Sequence, residues 1–302
     1  MKLVLTAFLV SASLLAAAEP ARPKILGVAH AAFYAHDIDK ARAYYRDFLG
    51  YRDPFAAKSA ATFKINDRQY VRLIPEVAPS TDRLSHYGLE TNDAEAMRAY
   101  LAARGVDVPA RVTRSESGNL VFRVKDPEGH FVEFVQYRPD GREMKGKGKH
   151  LPENRISKRM MHVGIIITKL SPARKFYQEL LGFEEFWRGS STGKELSWIN
   201  LRVPDGDDYI ELMLHKEAPA PTARGSAHHI CLEVPDIEAS LAALEARPYR
   251  QSYERPLEFR TGRNRKRQLN VFDPDGTRTE LMEPNTVDGV PAASSDAPPP
   301  ID

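Results

Sequence analysis

Met161-His162-Val163-Gly164-Ile165-Ile166-Ile167-Thr168 is an apolar, β-branched run, followed at once by a helix-like segment from Ser171 to Leu181 that stops at Gly182. The run reads as a strand, and Pro172 near the start with Gly182 as terminator frames a short helix. Period-2 alternation puts His162, Gly164 and Ile166 on one face and Val163, Ile165 and Ile167 on the other, so the imidazole points away from the packed helix. The pattern recurs. His30-Ala31-Ala32-Phe33-Tyr34-Ala35-His36-Asp37, then Lys40 to Leu49 and Gly50, repeats it at an interval of 132 residues. Further copies open at His86 (His86-Tyr87-Gly88-Leu89-Glu90) and at His229 (His229-Ile230-Cys231-Leu232-Glu233-Val234). Four strand-then-helix units, each opened by a histidine, make an internal repeat.

A chain of 302 residues makes about two domains. Lys and Arg number 43 against 41 Asp and Glu, a net charge of +2 that supplies no argument for nucleic acid. One cysteine, Cys231, rules out an intrachain disulfide. At the N-terminus, Lys2, the apolar run Leu3 to Ala17 and Ala16-Ala17-Ala18 before Glu19 have the charged start, apolar centre and small-residue exit of a secretory signal peptide. The run is shorter than the ~20 apolar residues of a spanning helix. Residues 1–18 are therefore expected to be a cleaved leader, leaving a secreted or periplasmic protein with no membrane association.

The units read as a first domain over 25–138 and a second over 159–284, of α+β type, each built of two βα modules with a third strand expected after each helix. Asp126-Pro127-Glu128-Gly129 and Asp273-Pro274-Asp275-Gly276 are strongly specified turns between closing strands. Residues 139–158 are rich in Gly, Lys, Pro and Glu without periodicity and read as an exposed linker. The stretch from Tyr249 to Arg267 reads as irregular and basic. Residues 285–302 have too little apolar content to order themselves and read as a disordered tail.

Both halves place a glutamate seven residues past the aspartate of that turn, Glu133 and Glu280. A fixed turn and strand count fix the face each carboxylate occupies. In Tyr209-Ile210-Glu211-Leu212-Met213-Leu214 the alternation puts Glu211 opposite the packed Ile210, Leu212 and Leu214. Acidic residues inside apolar strands are costly to bury unless paired or bound to a cation. Taken singly, His162, Glu211, His229 and Glu280 read as strand residues satisfied by hydrogen bonds. Together, at equivalent repeat positions, two imidazoles and two carboxylates suit one divalent ion: iron, zinc, nickel, cobalt or manganese.

The histidine-led strand, a helix ending in Leu-Gly-Phe or Leu-Gly-Tyr (Phe176-Tyr177-x-x-Leu180-Leu181-Gly182-Phe183) and Asp-Pro-x-Gly-x-x-x-Glu resemble the vicinal oxygen chelate (VOC) superfamily, which includes glyoxalase I, bleomycin-resistance proteins and extradiol dioxygenases. The resemblance covers nearly all of Gly27 to Glu283. It implies four βαβββ modules forming two tandem VOC domains, each pair of modules a cup with metal ligands on its first and last strands. The implied ligands are His162, Glu211, His229 and Glu280, with Glu211 and Glu280 as the catalytic carboxylates. His30, His86 and Glu133 form a second candidate site, but Arg72 stands where Glu211 stands. It disfavours a cation and could neutralise Glu133. Modules can pair within a half or exchange, which would combine His162 and Glu211 with His86 and Glu133; the long linker favours pairing within each half.

Arg72, Tyr34 and Cys231 are candidate substrate contacts, with His36 and Tyr70 sharing faces with the first cup. His228 faces away from His229. The run Arg260, Arg263, Arg265, Lys266 and Arg267 could overhang the second cup but reads better as a solvated loop. The resemblance implies an exported, metal-dependent enzyme acting on a small molecule with vicinal oxygens, by dioxygenase-like or glyoxalase/lyase-like chemistry. The alternative is a non-catalytic small-molecule binder of the bleomycin-resistance type. Export separates the protein from cytosolic glutathione. The histidine and tyrosine that precede the final glutamate in extradiol dioxygenases are missing from Gly262 to Phe272, which carries Asn264, Arg265 and Asn270 instead.

Overall fold

The computed structural model describes residues 20–55, 60–76, 78 and 82–302. The expected leader, residues 1–18, lies outside them. Among the described residues no helix is long and apolar enough to cross a membrane.

Two sheets divide the chain at its midpoint. The first half contributes β1 (Ile25–Ala35), β2 (Ala61–Lys64), β3 (Tyr70–Pro75), β4 (Leu84–Thr91), β5 (Thr113–Arg114), β6 (Leu120–Lys125) and β7 (Phe131–Gln136), in the spatial order β2-β3-β1-β4-β7-β6-β5. The second contributes β8 (Arg159–Ile167), β9 (Glu184–Gly189), β10 (Trp198–Arg202), β11 (Tyr209–Leu214), β12 (His229–Glu233), β13 (Phe259–Thr261), β14 (Arg267–Phe272) and β15 (Arg278–Met282), in the order β13-β14-β15-β12-β8-β11-β10-β9. Each sheet is two βαβββ modules joined through their opening strands, β1 against β4 and β8 against β12, both antiparallel. Modules therefore pair within a half, as the linker length suggested. The closing strand of each module lies parallel to its opening strand, so β11-β8-β12-β15 and β3-β1-β4-β7 are the central ribbons. In the first module the strand expected directly after the helix shrinks to a single bridge, Arg52 to Lys64.

The helices pack their apolar stripe on the convex side. α1 (Ile38–Ala43) begins at Asp37, whose carboxylate accepts from the backbone N–H of Asp39 and Lys40, and buries Ala41. α2 (Ala94–Ala103) buries Met97, Tyr100 and Leu101. Short α3 (Arg142–Lys145) follows β7, and α4 (Leu170–Arg174) and α5 (Ile237–Glu245) serve the second half. α1 and α4 both widen into a π-turn, over Tyr44–Phe48 and Lys175–Leu180. The extra residue per turn lets adjacent aromatics, Tyr44 with Tyr45 and Phe176 with Tyr177, all reach the core. Gly50 and Gly182 then end the segment with φ of +82° and +76°.

The halves share one core. Phe48 of the first packs on Tyr253 of the second, with ring centroids 4.7 Å apart. The Tyr177 hydroxyl donates to Asp126 Oδ2 at 2.8 Å, and Gln69 Nε2 donates to the Met160 carbonyl at 2.9 Å.

Three sequence expectations are corrected. Residues 139–158, expected to be an exposed linker, are exposed over much of their length but not throughout: Glu143 is buried and accepts from Asn119 Nδ2, because α3 folds back over the first sheet. Residues 285–302 lack helix and strand yet lie along the second half. Main-chain bonds from Leu170 to Asp302, Leu196 to Pro298 and Ser295 to Arg188 hold them there, with Ala297 and Ile301 against the core. The stretch before β14 is not wholly irregular, since Phe259–Thr261 pairs with it as a hairpin.

Candidate metal centre

Four adjacent strands of the second sheet each present one ligand-type side chain to the concave face: Glu211 on β11, His162 on β8, His229 on β12 and Glu280 on β15. The register brings them level. Glu211 lies opposite Gly164, Gly164 opposite His229, and Cys231 between His162 and Glu280. His162 Nε2 and His229 Nε2 are 3.0 Å apart. Glu211 Oε2 is 3.8 Å from the first and 3.4 Å from the second, and Glu280 Oε2 is 3.6 and 3.7 Å from them. Donors about 2.1 Å from a common ion lie roughly 3.0–3.4 Å from one another in octahedral or tetrahedral arrangements, so this cluster is close to a coordination shell.

Three of the four side chains are held in ligand form, and the fourth, His229, would give up a proton to an ion. Burial, with His229 and Arg278 beside it, holds His162 down at about 4, a neutral imidazole. For both carboxylates burial is outweighed by the histidines, and for Glu280 also by Arg278, so both are held below the usual carboxylate range, Glu280 well below it. For His229 burial is outweighed by hydrogen bonds to the two glutamates, which raise it. Its Nδ1 sits 2.8 Å from the Ala227 carbonyl, which orients Nε2 toward the cluster. The ring rests on Gly164, where a Cβ would lie 2.0 Å from Cε1. Two carboxylates face two imidazoles and one guanidinium, Arg278, which lies against His229. The donor set fits a divalent cation.

The cluster opens into a cavity of about 570 Å³ walled by Trp187 and Trp198, with Arg260, Arg263, Asn264 and Gln268 on the opposite side. Arg260 and Arg263 thus do reach the second cup. Arg265 instead pairs with Asp288, and Arg267 with Glu283 and Glu238. Cys231, a candidate substrate contact on sequence, is fully buried in a small cluster with Met161, Tyr209 and Met282, outside the cavity lining. His228 is buried on the other face, its ring 5.1 Å from His130.

The first sheet repeats the arrangement with different chemistry. His30 on β1, His86 on β4 and Glu133 on β7 converge, and the His30 ring rests on Gly88. Arg123 of β6 then takes the metal's place. Its Nε donates to Glu133 Oε2 at 2.6 Å and its Nη2 to His86 Nε2 at 3.1 Å, the lone pair an ion would need. Glu133 is neutralised by Arg123 rather than by Arg72, contrary to the sequence expectation. Burial with Arg123 and Arg72 pushes His30 down to about 3, and burial with His30 and Arg123 pushes His86 down to about 2. One carboxylate against two guanidiniums does not fit a cation. Tyr70 stacks on His30 at 4.8 Å, but Tyr34 and His36 lie beyond the cup, His36 exposed and paired with Glu76.

Sequence reading missed Arg123, Trp187, Trp198 and Tyr209, whose ring lies 4.4 Å from His162. Arg123 alone left a signal, a charge at an inward position of the alternating Leu120-Val121-Phe122-Arg123-Val124.

Models of the glyoxalase/bleomycin resistance protein/dioxygenase superfamily match residues 27–134 and 161–265. The uncharacterized proteins YwbC of Bacillus subtilis and YaeR of Escherichia coli are each 30% identical to this chain, over 129 and 132 residues, covering 42% of it and 99% and 96% of their own lengths. Among solved structures, the Mn(II)-bound glyoxalase from Novosphingobium aromaticivorans superposes with a TM-score of 0.66 at 17% identity, over 91% of this chain and 85% of its own. The 2,3-dioxygenase LapB from Pseudomonas sp. KL28 gives 0.67 at 18%, over 87% and 93%. Homoprotocatechuate 2,3-dioxygenase from Brevibacterium fuscum gives 0.67 at 17%, over 95% and 88%.

Proposed function

The chain belongs to the glyoxalase/bleomycin resistance protein/dioxygenase superfamily, and from that premise we propose that its second cup holds one divalent metal ion and catalyses proton transfer on a small molecule with neighbouring oxygens. The observation that carries this is the convergence of His162, His229, Glu211 and Glu280 below an open cavity. Bound there, the ion supplies Lewis acidity to two adjacent substrate oxygens.

The chain's own residues do the rest. Either Glu211 or Glu280, freed from the cluster, removes a proton from the carbon next to a carbonyl and returns it to the neighbouring carbon, which is isomerase- or lyase-type chemistry. Trp187 and Trp198 shield that step from water, and Arg260 and Arg263 set the charge at the opposite wall. A second carboxylate on the cluster favours this over ring cleavage, for which two histidines and one carboxylate suffice. Among the described residues lining the cavity, no imidazole besides His162 is placed to act on substrate. We further propose export, with cleavage after Ala18, on the strength of the apolar run and its small-residue exit.

Elemental analysis of protein purified without chelator tests the centre. About one metal per chain, absent from His162→Ala/Glu280→Ala, is expected. No metal in the wild type, even after reconstitution, refutes it. Assays of the loaded protein with 2-oxoaldehyde, thioester and catechol substrates then test the chemistry. Turnover of catechol alone would refute proton transfer, and binding without turnover would leave a sequestering protein.

A further inference from the structure

We propose that the first cup is a binding site for a small organic carboxylate, held by Arg72 and an arginine-lined floor where the second cup holds its metal-ligand set. This site is separate from the proposed metal centre and does not rest on it.

Three observations converge. The cup opens into a cavity of about 450 Å³, within the size range of small-ligand pockets. Arg72 projects into that cavity from β3, half-buried, and makes no hydrogen bond or ion pair with any described residue. Arg123, on the floor, is by contrast satisfied by Glu133 and His86. A guanidinium with five donors in a fixed fork, half-buried and with no acceptor of its own among the described residues, suits a planar two-oxygen anion. The histidines beneath are neutral, so they do not supply competing charge of either sign.

The remaining walls choose among anions. Phe55, Tyr70 and Val121 are apolar faces of the same cavity, whose other charged lining, Glu116 and Glu143 with Arg111 and Arg142, is balanced. An inorganic oxyanion would leave these apolar faces wet, whereas a carboxylate with an aromatic or short aliphatic body covers them while its head meets Arg72. The contrast with the other half is local. At the equivalent register positions β11 carries Glu211 opposite Gly164 and β14 carries Asn270 opposite Glu280, where β3 carries Arg72 opposite Ala32 and β6 carries Arg123 opposite Glu133. Two substitutions in a shared frame exchange a cation cradle for an anion cradle.

Calorimetric titration of benzoate, and separately of inorganic phosphate, into the full chain tests the assignment. Benzoate is expected to bind at one site per chain, equally well in wild type and in His162→Ala/Glu280→Ala. Its affinity should fall at least about tenfold in Arg72→Met, the loss of a charge-assisted pair. Arg72→Lys, which keeps the charge but not the fork, should fall in between and carries the test if Arg72→Met does not fold. Benzoate binding that survives in folded Arg72→Met, or disappears in the second-cup variant, overturns the proposal. So does phosphate binding as tightly as benzoate, which would make the site one for inorganic anions, and so does the absence of binding by either probe.

Discussion

Gly164 has no side chain because His229 lies where one would be: a Cβ there would sit 2.1 Å from Nδ1 as well as 2.0 Å from Cε1. Gly88 stands in the same relation to His30, 2.3 Å from Cε1. In each half one opening strand thus gives up its side chain two residues past its histidine so that the partner histidine can lie flat across it. Strand backbone cannot retreat, so an added methyl must turn the imidazole. Gly164→Ala should therefore weaken metal binding by about 10- to 100-fold, as outer-shell changes typically do. The far-ultraviolet circular dichroism should stay that of wild type; undiminished metal content in a chelator competition would refute the reading.

At the scale of elements, the Asp-Pro-x-Gly turns do more than reverse the chain. Each aspartate accepts from two backbone N–H groups of its own turn, Glu128 and His130 for Asp126, Asp275 and Thr277 for Asp273. The acidic third residue then reaches into the other half. Glu128 accepts from the backbone N–H of Thr168 and Lys169 and from the Thr168 hydroxyl, at 2.7–2.8 Å, while Asp275 accepts from the His36 N–H at 3.1 Å. Glu128→Ala removes a cap on the approach to α4 and should cost about 1–2 kcal/mol, read as a fall of roughly 2–4 °C per kcal/mol in Tm; an unchanged Tm would show the contact to be passive. Asp273 carries a pH dependence. Burial raises its carboxyl to about 7, and its Oδ2 has no partner among the described residues. The folded state holds this proton more tightly than the unfolded one, so the contribution is full below pH ~4 and is lost as pH rises through ~7. Asp273→Asn mimics the protonated form. Its stability in urea titrations should overtake that of wild type between pH 4 and 8, by up to about 4 kcal/mol of unfolding free energy at the upper end. Parallel pH profiles for the two proteins would contradict this.

For the whole molecule, two cups of one design differ in the charges set at their floors. The second sets two carboxylates against Arg278; the first sets Glu133 against Arg72 and Arg123. Since the histidine frame is common to both, the difference in what each attracts should lie in the two exchanged positions. Arg72→Glu/Arg123→Asn should raise metal content from about one to about two per chain, provided the second cup loads as proposed. A double variant that stays at one would show that the first cup is barred from metal by something other than those guanidiniums. A shared core joins the two halves, with the Tyr177 hydroxyl of one and the Asp126 carboxylate of the other buried against each other at the junction.

The repeat of 132 residues, the histidine at the head of each opening strand and the glutamate seven residues past each turn were readable as spacing, because period-2 alternation converts a residue count into a face. That is why four modules and the facing of His162, Glu211, His229 and Glu280 follow from local pattern alone. What only the tertiary structure decided is which side chains from non-neighbouring segments meet. Arg123 meets His86 through the pairing of β6 with β7 and β7 with β4, two steps of register that no local signal encodes. The tail looked disordered because its composition is polar and Pro-rich, and the linker looked exposed because its Gly, Lys, Pro and Glu show no periodicity. They are held by main-chain hydrogen bonds to strands and loops laid down elsewhere in the chain, and composition carries no record of a backbone acceptor supplied from another segment.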